Sequence, residues 1–553
     1  MAPPPGFLGV WREDPRARAA YSEGAGIYRI LPSAVAVPST TRDLIWLVSW
    51  AHTSRTPLVP RGAGSGMPGH NVGPGVILDL TALDGRPLEV DAERLLATTG
   101  AAVSLGELAE EARKHGLRMP VDPSSARWAT AGGVAATNAA GPRSVKYGPV
   151  RRWIQALKLV TADGELVELE RDREPADSTL LRRFRDAADS TMRLARWRVA
   201  SSFPKVRKNT AGYALDAYLA SGDLLDLIIG SEGTLALITE VTWRLEPIPP
   251  ARAAVRAAVR DARRLSHCVP ALLSLAPARL EFLDASFLRF VADEIPDLPR
   301  SEELAGRGAL LLAEFEGSDE AELEALVERA VGILKAESVE VVVGRGEREL
   351  EGLWAVRRSA SSKLARLGPT RRSLQVIEDG CVGVDRLGDY LAAVRRSAER
   401  LGLEVVLFGH AGDANVHANV LADVSRPDLE DALTELYDEV SRLLIGQGGT
   451  PAGEHGDGRL RAPLLERVYG WEMTQLFQQL KRTFDPAGVL NPGVKLTERT
   501  GSPIYSLKVG PHAVPIPADI EAGLRWIEQQ RGYAADRLVL ADDPSSWSAR
   551  ELD

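Results

Sequence analysis

Two glycine-bounded segments that contain histidines constrain the fold more than any other part of the sequence. They read GHAGDANVHANV and GGTPAGEHGDG. His410 and His417, in the first, lie seven positions apart, so an unbroken strand would point them to opposite faces. Between them, Gly412, Asp413 and Asn415 are turn formers, which predicts a break and a fold-back of the strand. Such a fold-back would bring both imidazoles to one point.

The second segment supplies a carboxylate and a further imidazole. Glu454 and His455 are adjacent, so a regular strand cannot aim both at one point, whereas a loop rich in Gly and Pro can. His410, His417 and Glu454 form a nitrogen and oxygen ligand set typical of Zn²⁺, Fe²⁺ or Mn²⁺ with open coordination positions, and His455 is then a candidate base. The alternative from spacing alone is a histidine-containing turn beside a glycine-rich loop, without chemistry.

Size and composition exclude several classes of protein. A chain of 553 residues predicts two or three domains, and a net charge of −9 argues against general nucleic-acid binding. We find no apolar run of 18 or more residues and no secretory signal, which predicts no transmembrane segment. With two cysteines and no CxxC, the chain cannot hold its own iron–sulfur cluster, and a cytoplasmic setting fits.

Two small-residue segments in the first half indicate a ligand site. PRGAGSGMPG lies between two β-like runs and matches neither a P-loop nor a dinucleotide fingerprint. Its backbone N–H groups can still face an anion, although a plain glycine-rich hairpin is as good an interpretation. ATAGGVAATNAAG cannot fill a core, but it lets the backbone approach a flat ligand closely.

Six motifs in a fixed order reveal a family resemblance. They are PRGAGSG, ATAGGVAATNAAG with KYG, GSEGTLALITEVTWRL, GHAGDANVHANV, GEHGDGR and FDPAGVLNPG. This order resembles FAD-linked oxidases with a PCMH-type (vanillyl-alcohol oxidase-like) FAD-binding domain, in the branch of D-lactate, D-2-hydroxyglutarate and glycolate dehydrogenases. The resemblance covers about residues 30–497.

The resemblance implies an α+β fold. It predicts a two-subdomain PCMH-type FAD-binding domain, an α+β (ferredoxin-like) substrate or cap domain, and a C-terminal helical segment that returns to the flavin. The expected divisions are an N-terminal segment 1–29, the FAD-binding domain 30–248, the cap domain 249–440, the returning segment 441–497 and a tail 498–553. The tail, with one amphipathic helix at about residues 518–531, receives no role.

The resemblance also assigns residues to FAD. Those expected to bind it are Arg61, Gly62, Ala63, Gly64, Ser65, Gly66, Thr130, Gly132, Gly133, Thr137, Asn138, Glu232, Gly233, Ile238 and Asn491. Covalent relatives carry a flavin-linked histidine where this sequence has Ser65. FAD is therefore expected to be non-covalent.

The chemistry implied is oxidation of a D-2-hydroxy acid to the 2-oxo acid by hydride transfer to flavin N5. His410, His417 and Glu454 would hold a divalent metal, zinc being the first choice. His455 would act as base and Arg357 would clamp the substrate carboxylate. Some 2-hydroxyglutarate enzymes have a lysine where this chain has Ile377, so the sequence favours a D-lactate-like substrate.

The remaining expectations concern alternatives and partners. D-2-hydroxyglutarate and glycolate dehydrogenases are the alternatives within the branch. An alkylglycerone-phosphate-synthase-like transferase and a non-catalytic flavoprotein subunit are the alternatives outside it. The electron acceptor stays open between a quinone, a cytochrome, an electron-transfer flavoprotein and a separate iron–sulfur protein. The expected location is the cytoplasm or the periphery of the inner membrane.

Overall fold

The computed structural model describes residues 3–291, 304, 306–368 and 370–542. Within them, short strands and helices alternate up to residue 100: β1 (Val10–Arg12), α1 (Pro15–Ala20), β2 (Ala34–Val37), α2 (Thr41–Ser54), β3 (Leu58–Arg61), β4 (Val76–Asp79), β5 (Leu88–Asp91) and β6 (Leu96–Gly100). The next elements are mainly helical: α3 (Leu105–Lys114), β7 (Leu117–Arg118), α4 (Ala131–Thr137), α5 (Ser144–Tyr147), β8 (Ile154–Thr161), β9 (Leu166–Glu170), α6 (Thr179–Phe184), α7 (Ser190–Leu194), α8 (Arg196–Ser202), α9 (Leu215–Ser221), α10 (Leu225–Ile228), β10 (Ala236–Arg244) and β11 (Glu246–Pro247).

Longer strands and helices follow. They are β12 (Ala251–Val259), α11 (Leu265–Leu273), β13 (Arg279–Asp284), α12 (Ala285–Val291), β14 (Ala309–Gly317), α13 (Glu320–Lys335), β15 (Ser338–Arg345), α14 (Gly346–Ala365), β16 (Arg371–Leu374), β17 (Gly380–Cys381), α15 (Leu387–Arg400), β18 (Glu404–His410), β19 (Asn415–Asp423) and α16 (Leu429–Gly446). The described chain closes with α17 (Gly458–Arg461), α18 (Leu465–Tyr469), α19 (Trp471–Phe484), α20 (Ala518–Gln530) and α21 (Arg537–Asp542).

Helix starts follow local sequence signals. The side chain of Thr40 accepts a hydrogen bond from the backbone N–H of Asp43 and caps α2. At α3, Ser104 and Glu107 form a reciprocal capping box. Each interaction satisfies a backbone donor that a helix start leaves without an intrahelical partner.

Two larger sheets and the short antiparallel pair of β7 and β11 make up the described amino-terminal half. In the first, with strand order β1-β2-β4-β3, the strands β2, β4 and β3 are parallel and β1 is antiparallel to β2. The second is antiparallel, with the order β5-β6-β10-β8-β9. The small-residue helix α4 packs on β10 and β6. It lines a large cavity together with the glycine-rich loop between β3 and β4.

An eight-stranded sheet follows, with the order β15-β12-β14-β13-β18-β19-β16 and β17 paired to β19. Helices α11, α13, α15 and α16 contribute to the core on one face, and α12 and α14 to the core on the other. Because both faces are covered, β14 is buried at every position. Mixed helix and antiparallel sheet confirm the α+β prediction.

The segment after residue 498 docks onto the rest of the chain. Helix α20 packs against α1 and α14, and α21 packs against α1. Ile520, Leu524 and Ile527 are buried in one apolar cluster with residues of α1 and of β2 to β4. The predicted helix at residues 518–531 is therefore confirmed, while residues 543–553 lie outside the described part. No helix in the described ranges is both long and apolar enough to cross a membrane.

Candidate active site

The β18–β19 hairpin brings the two predicted histidines together. A short 3₁₀ turn joins the strands, and the register places Phe408 opposite His417 and His410 opposite Asn415. His410 and His417 are consequently diagonal neighbours on one face of the hairpin. Their Nε2 atoms lie 3.2 Å apart, which confirms the predicted fold-back.

The second segment completes the cluster. Oε1 of Glu454 lies 2.8 Å from Nε2 of His410 and 3.3 Å from Nε2 of His417. The loop is held by the buried carboxylate of Asp379, which accepts the backbone N–H groups of Glu454 and His455 at 3.0 and 2.9 Å. The loop backbone therefore directs two adjacent side chains into one site, which a regular strand could not do.

Each clustered histidine has its other ring nitrogen beside a buried carboxylate. Nδ1 of His410 lies 2.5 Å from Glu281, and Nδ1 of His417 lies 3.0 Å from Glu378. In its neutral form, a histidine with a carboxylate at Nδ1 keeps its proton there and can offer the Nε2 lone pair to a metal, as most metal-binding histidines do. The two Nε2 atoms and Glu454 thus form a donor set that fits a divalent metal.

Charges inside the cluster compensate one another. Burial alone would raise the pKa of Glu281, but His410 and Arg357 outweigh it and hold that pKa at about 2. Burial likewise disfavours charge on His410, but Glu281 and Glu454 raise its pKa to about 9. The cluster is a compact, charged and largely buried network at the cavity wall.

His455 occupies a more accessible position beside the cluster. Its side chain is 29% exposed, against 4% for His410 and 8% for His417, and its ring stacks on that of His417 at 5.3 Å between centroids. Nδ1 lies 2.5 Å from Glu378. Burial opposes charge on His455, but Glu378 and Asp379 raise its pKa to about 9. His455 can therefore meet a ligand in the cavity.

Arg357 lies next to the cluster and shares the carboxylate of Glu281 with His410. Its Nε donates to Glu281 at 3.0 Å, and its guanidinium lies 4.6 Å from the centre of the Phe408 ring. Arg357 lines the cavity together with His410, His417, Glu454 and His455. All five side chains proposed from the sequence for metal and substrate thus share one space.

Sequence reasoning missed Lys208, which reaches the cluster from the amino-terminal half. Its buried ammonium donates to Oε2 of Glu454 at 2.8 Å and lies 3.4 Å from Asp413. This ion pair holds the oxygen of Glu454 that does not face the histidines. A single lysine has no spacing signal, so only the three-dimensional contact identifies it.

The cavity has a volume of about 680 Å³, within the range of about 300–1,000 Å³ typical of small-molecule sites. It extends from the cluster to the β3–β4 loop and the start of α4. Thirteen residues predicted to bind FAD line it: Arg61, Gly62, Ala63, Gly64, Ser65, Gly66, Thr130, Gly132, Gly133, Thr137, Glu232, Gly233 and Ile238.

Asn138 and Asn491 do not line the cavity. Oδ1 of Asn138 accepts the backbone N–H of Arg151 at 3.2 Å. Nδ2 of Asn491 donates to the carbonyl groups of His70 and Glu232, both at 2.9 Å. The side-chain amides of both asparagines form hydrogen bonds to backbone groups, so these residues stabilise the cavity wall without facing the cavity.

The β3–β4 loop and α4 approach each other closely. A Cβ atom on Gly62 would lie 2.3 Å from Oγ1 of Thr130, so glycine is required there. The guanidinium of Arg61 donates to the carbonyl groups of Asn71 and Glu23 and thereby shapes the loop. Among the described residues, the buried Oδ1 of Asn71, another lining residue, has no hydrogen-bond partner. This narrow, polar and small-residue wall fits a flat cofactor with phosphate groups.

Ile377 lies away from this cavity. It is 6% exposed and packs in the core of the eight-stranded sheet, and it is not among the cavity-lining residues. The neighbouring β16 contributes Arg372 and Ser373 to the wall instead. The apolar nature of Ile377 therefore gives no information about a second carboxylate of the substrate.

Comparison with known proteins agrees with this geometry. The family profile described as "FAD linked oxidases, C-terminal domain" matches residues 248–494, and "FAD binding domain" matches residues 32–170. The chain is 30% identical to glycolate oxidase subunit GlcD of Bacillus subtilis, over 84% of this chain and 89% of that protein. It is also 30% identical to a D-lactate dehydrogenase of Archaeoglobus fulgidus, over 83% and 90%.

Further similarities place the fold. A D-2-hydroxyglutarate dehydrogenase of Escherichia coli is 27% identical over 88% of this chain and 50% of its own length. The crystal structure of p-cresol methylhydroxylase with substrate bound superimposes with a TM-score of 0.64 at 15% identity, covering 89% of this chain and 95% of that one. The fold is thus that of PCMH-type flavoproteins. The chain belongs to the family of FAD-linked oxidases.

We expect the purified protein to be yellow and to release all its flavin as FAD on denaturation. Ser65 stands where covalent relatives have histidine, and a serine hydroxyl is a poor nucleophile without an activating base. The measurement is the absorbance of the supernatant after acid precipitation. Flavin that stays with the precipitate would contradict the prediction and would direct attention to His70, a histidine in the cavity wall.

Proposed function

We propose that this protein is an FAD-dependent dehydrogenase that oxidises a D-2-hydroxy acid to the corresponding 2-oxo acid. The observation that carries the proposal is the convergence of His410, His417 and Glu454 beside His455 and Arg357 in the cavity that the FAD-binding loops also line. A carboxylate anchor, a set of metal donors and an imidazole are the groups that this oxidation requires.

The roles of the chain's residues follow from their positions. Arg357 binds the substrate carboxylate, because its guanidinium faces the cavity while Glu281 fixes its orientation. His455 accepts the hydroxyl proton. Glu281 and Glu378 hold the two histidine ligands in the required tautomer. Lys208 orients Glu454.

Two bound groups supply the remaining chemistry. FAD would accept the hydride that leaves C2 of the substrate. His410, His417 and Glu454 would hold a divalent metal, zinc being the first choice, whose positive charge would polarise the hydroxyl group and disfavour protonation of His455. The reduced flavin then requires a separate electron acceptor, which we propose to be a quinone, a cytochrome, an electron-transfer flavoprotein or an iron–sulfur protein.

The names of the similar proteins leave three substrates within this class. Glycolate, D-lactate and D-2-hydroxyglutarate each belong to a relative of comparable identity. The preference for D-lactate that the sequence suggested rests on Ile377, which faces the core. The substrate must therefore be argued from the side chains that line the cavity.

Anaerobic reduction of the bound flavin by a panel of 2-hydroxy acids tests the proposed function. We expect the visible absorbance of the oxidised flavin to be lost with D-enantiomers and retained with L-enantiomers. The panel contains glycolate, which is achiral, and both enantiomers of lactate, 2-hydroxyvalerate and 2-hydroxyglutarate. If no member bleaches a flavin that dithionite reduces normally, the protein is not a hydroxy-acid dehydrogenase.

A further inference from the structure

The carboxyl-terminal extension reaches the cavity. Helix α20 packs against α14, the helix that carries Arg357. At its end, Glu528, Arg531 and Tyr533 line the cavity. This segment lies beyond residue 494, where the family profile ends, so nothing in the family resemblance assigns it a role.

The end of α20 is held firmly in place. The carboxylate of Glu528 lies 2.7 Å from Arg372 and 2.9 Å from Lys508. Two turns earlier in the helix, Glu521 pairs with Arg29 at 2.6 Å. These ion pairs, with the buried apolar face of the helix, fix the position of the residues that follow.

Arg531 adopts a backbone conformation that arginine rarely takes. It ends α20 with φ 57° and ψ 26°, in the left-handed region where glycine is usual. Its backbone N–H donates to the carbonyl group of Glu528 at 3.2 Å. Arg55 ends α2 in the same conformation outside the cavity wall, so the conformation alone does not mark a ligand site.

Among the residues that the structure describes, no carboxylate pairs with the guanidinium of Arg531. Three other arginines of the wall pair with carboxylates: Arg357 with Glu281, Arg372 with Glu528, and Arg279 with Asp122 and Glu314. Arg61 and Arg358 donate to backbone carbonyl groups instead. Within the described ranges, Arg531 contacts no carboxylate, and its guanidinium lies 5.7 Å from the centre of the Trp128 ring. A partly buried charge without a partner is costly unless a ligand supplies one.

The positive charge of Arg357 acts on Arg531. Burial lowers the pKa of Arg531, and the positive charge of Arg357 lowers it further against the opposing effect of Tyr533. Both side chains line the same cavity. An anion with two separated carboxylates could meet Arg357 with one carboxylate and supply the missing counter-charge of Arg531 with the other.

We propose that Arg531 binds a second carboxylate of the substrate, which makes the substrate a D-2-hydroxydicarboxylate. This inference rests on the proposed function, in which Arg357 takes the carboxylate next to the reacting carbon. A guanidinium fork suits the second carboxylate because it can donate two parallel hydrogen bonds. The terminal segment is accordingly part of the substrate site.

The test compares two substrates that differ only at the far end. D-2-hydroxyglutarate and D-2-hydroxyvalerate have the same number of carbons, and only the former has a second carboxylate. We expect the wild-type protein to prefer D-2-hydroxyglutarate in kcat/KM. In Arg531→Gly that preference should fall about 10- to 100-fold, mainly through KM, as expected for the loss of a charge-assisted contact.

Glycine is the chosen substitution because it accepts the left-handed conformation, so the variant should fold. Arg371→Gln is the matched control, because Arg371 is exposed on β16 and absent from the cavity wall. The preference of this variant for D-2-hydroxyglutarate should equal that of the wild type. The dissociation constant of 2-oxoglutarate, measured by perturbation of the flavin spectrum, should rise by the same factor as KM in Arg531→Gly. This readout does not depend on turnover.

The outcomes separate the two hypotheses. A wild-type enzyme that turns over the monocarboxylate as well as the dicarboxylate would overturn the role of Arg531 and leave the proposed function intact. An unchanged preference and dissociation constant in Arg531→Gly would do the same. Failure of every hydroxy acid to reduce the flavin would instead reject the proposed function, and the 2-oxoglutarate dissociation constants would still test Arg531.

Discussion

Replacing His410 by alanine is expected to remove the bound metal and to lower kcat/KM about 10³-fold, while FAD remains bound. A metal acting as Lewis acid contributes several kcal/mol, and each 1.36 kcal/mol, roughly, is a factor of ten in rate. His410 approaches both His417 and Glu454, so its removal takes away the central donor. The FAD-binding loops lie in the other half of the chain, between residues 61 and 138.

The measurement combines metal analysis, flavin content and kinetics on one preparation. His417→Ala should give the same result, and His512→Ala serves as control because His512 is 70% exposed and remote from the cavity wall. Wild-type protein that is fully active without any metal, and insensitive to chelators, would show the metal hypothesis to be wrong. The two histidines would then donate hydrogen bonds directly to substrate.

Replacing His455 by glutamine should lower kcat about 10²- to 10⁴-fold, the usual contribution of a general base. The loss is severe but incomplete, since Arg357 and the cluster still position the substrate. Metal and FAD content should not change, because the Nε2 atoms of His410 and His417 and Oε1 of Glu454 form the donor set without His455. Stopped-flow reduction of the flavin isolates the step that needs the base.

An internal control is available for this variant. Reoxidation of chemically reduced flavin by an artificial quinone needs no substrate proton transfer, so its rate in His455→Gln should match that of the wild type. If substrate reduced the flavin of His455→Gln at the wild-type rate, His455 would not be the general base. Simultaneous loss of metal would assign it a ligand role instead.

The sequence predicts the fold well where the signal is local, as it is for helix caps and turns. Thr40 and Ser104 cap helices, and the turn formers between His410 and His417 fold the strand back as expected. These signals act within a few residues and need no tertiary information. The α+β architecture follows from the order of six motifs rather than from any single one.

The parts that the sequence does not predict depend on long-range contacts. Lys208 reaches Glu454 across 246 positions, and a single lysine has no spacing that would reveal this. Asn138 and Asn491 match motifs, yet their amides hold backbone outside the cavity. Ile377 lies one residue from the cavity-lining Glu378, and only the direction of its side chain shows that it faces the core.

The docked carboxyl-terminal helices have a consequence for the order in which the molecule folds. Arg525 pairs with Glu23 across 502 positions, and Arg12 with Asp542 across 530. Contacts between such distant positions form late, because the closing of a long loop must precede them. During synthesis, α1 is therefore made long before its partner helices α20 and α21. The wall that contains Arg531 is assembled last, after the flavin loops and the histidine hairpin have formed.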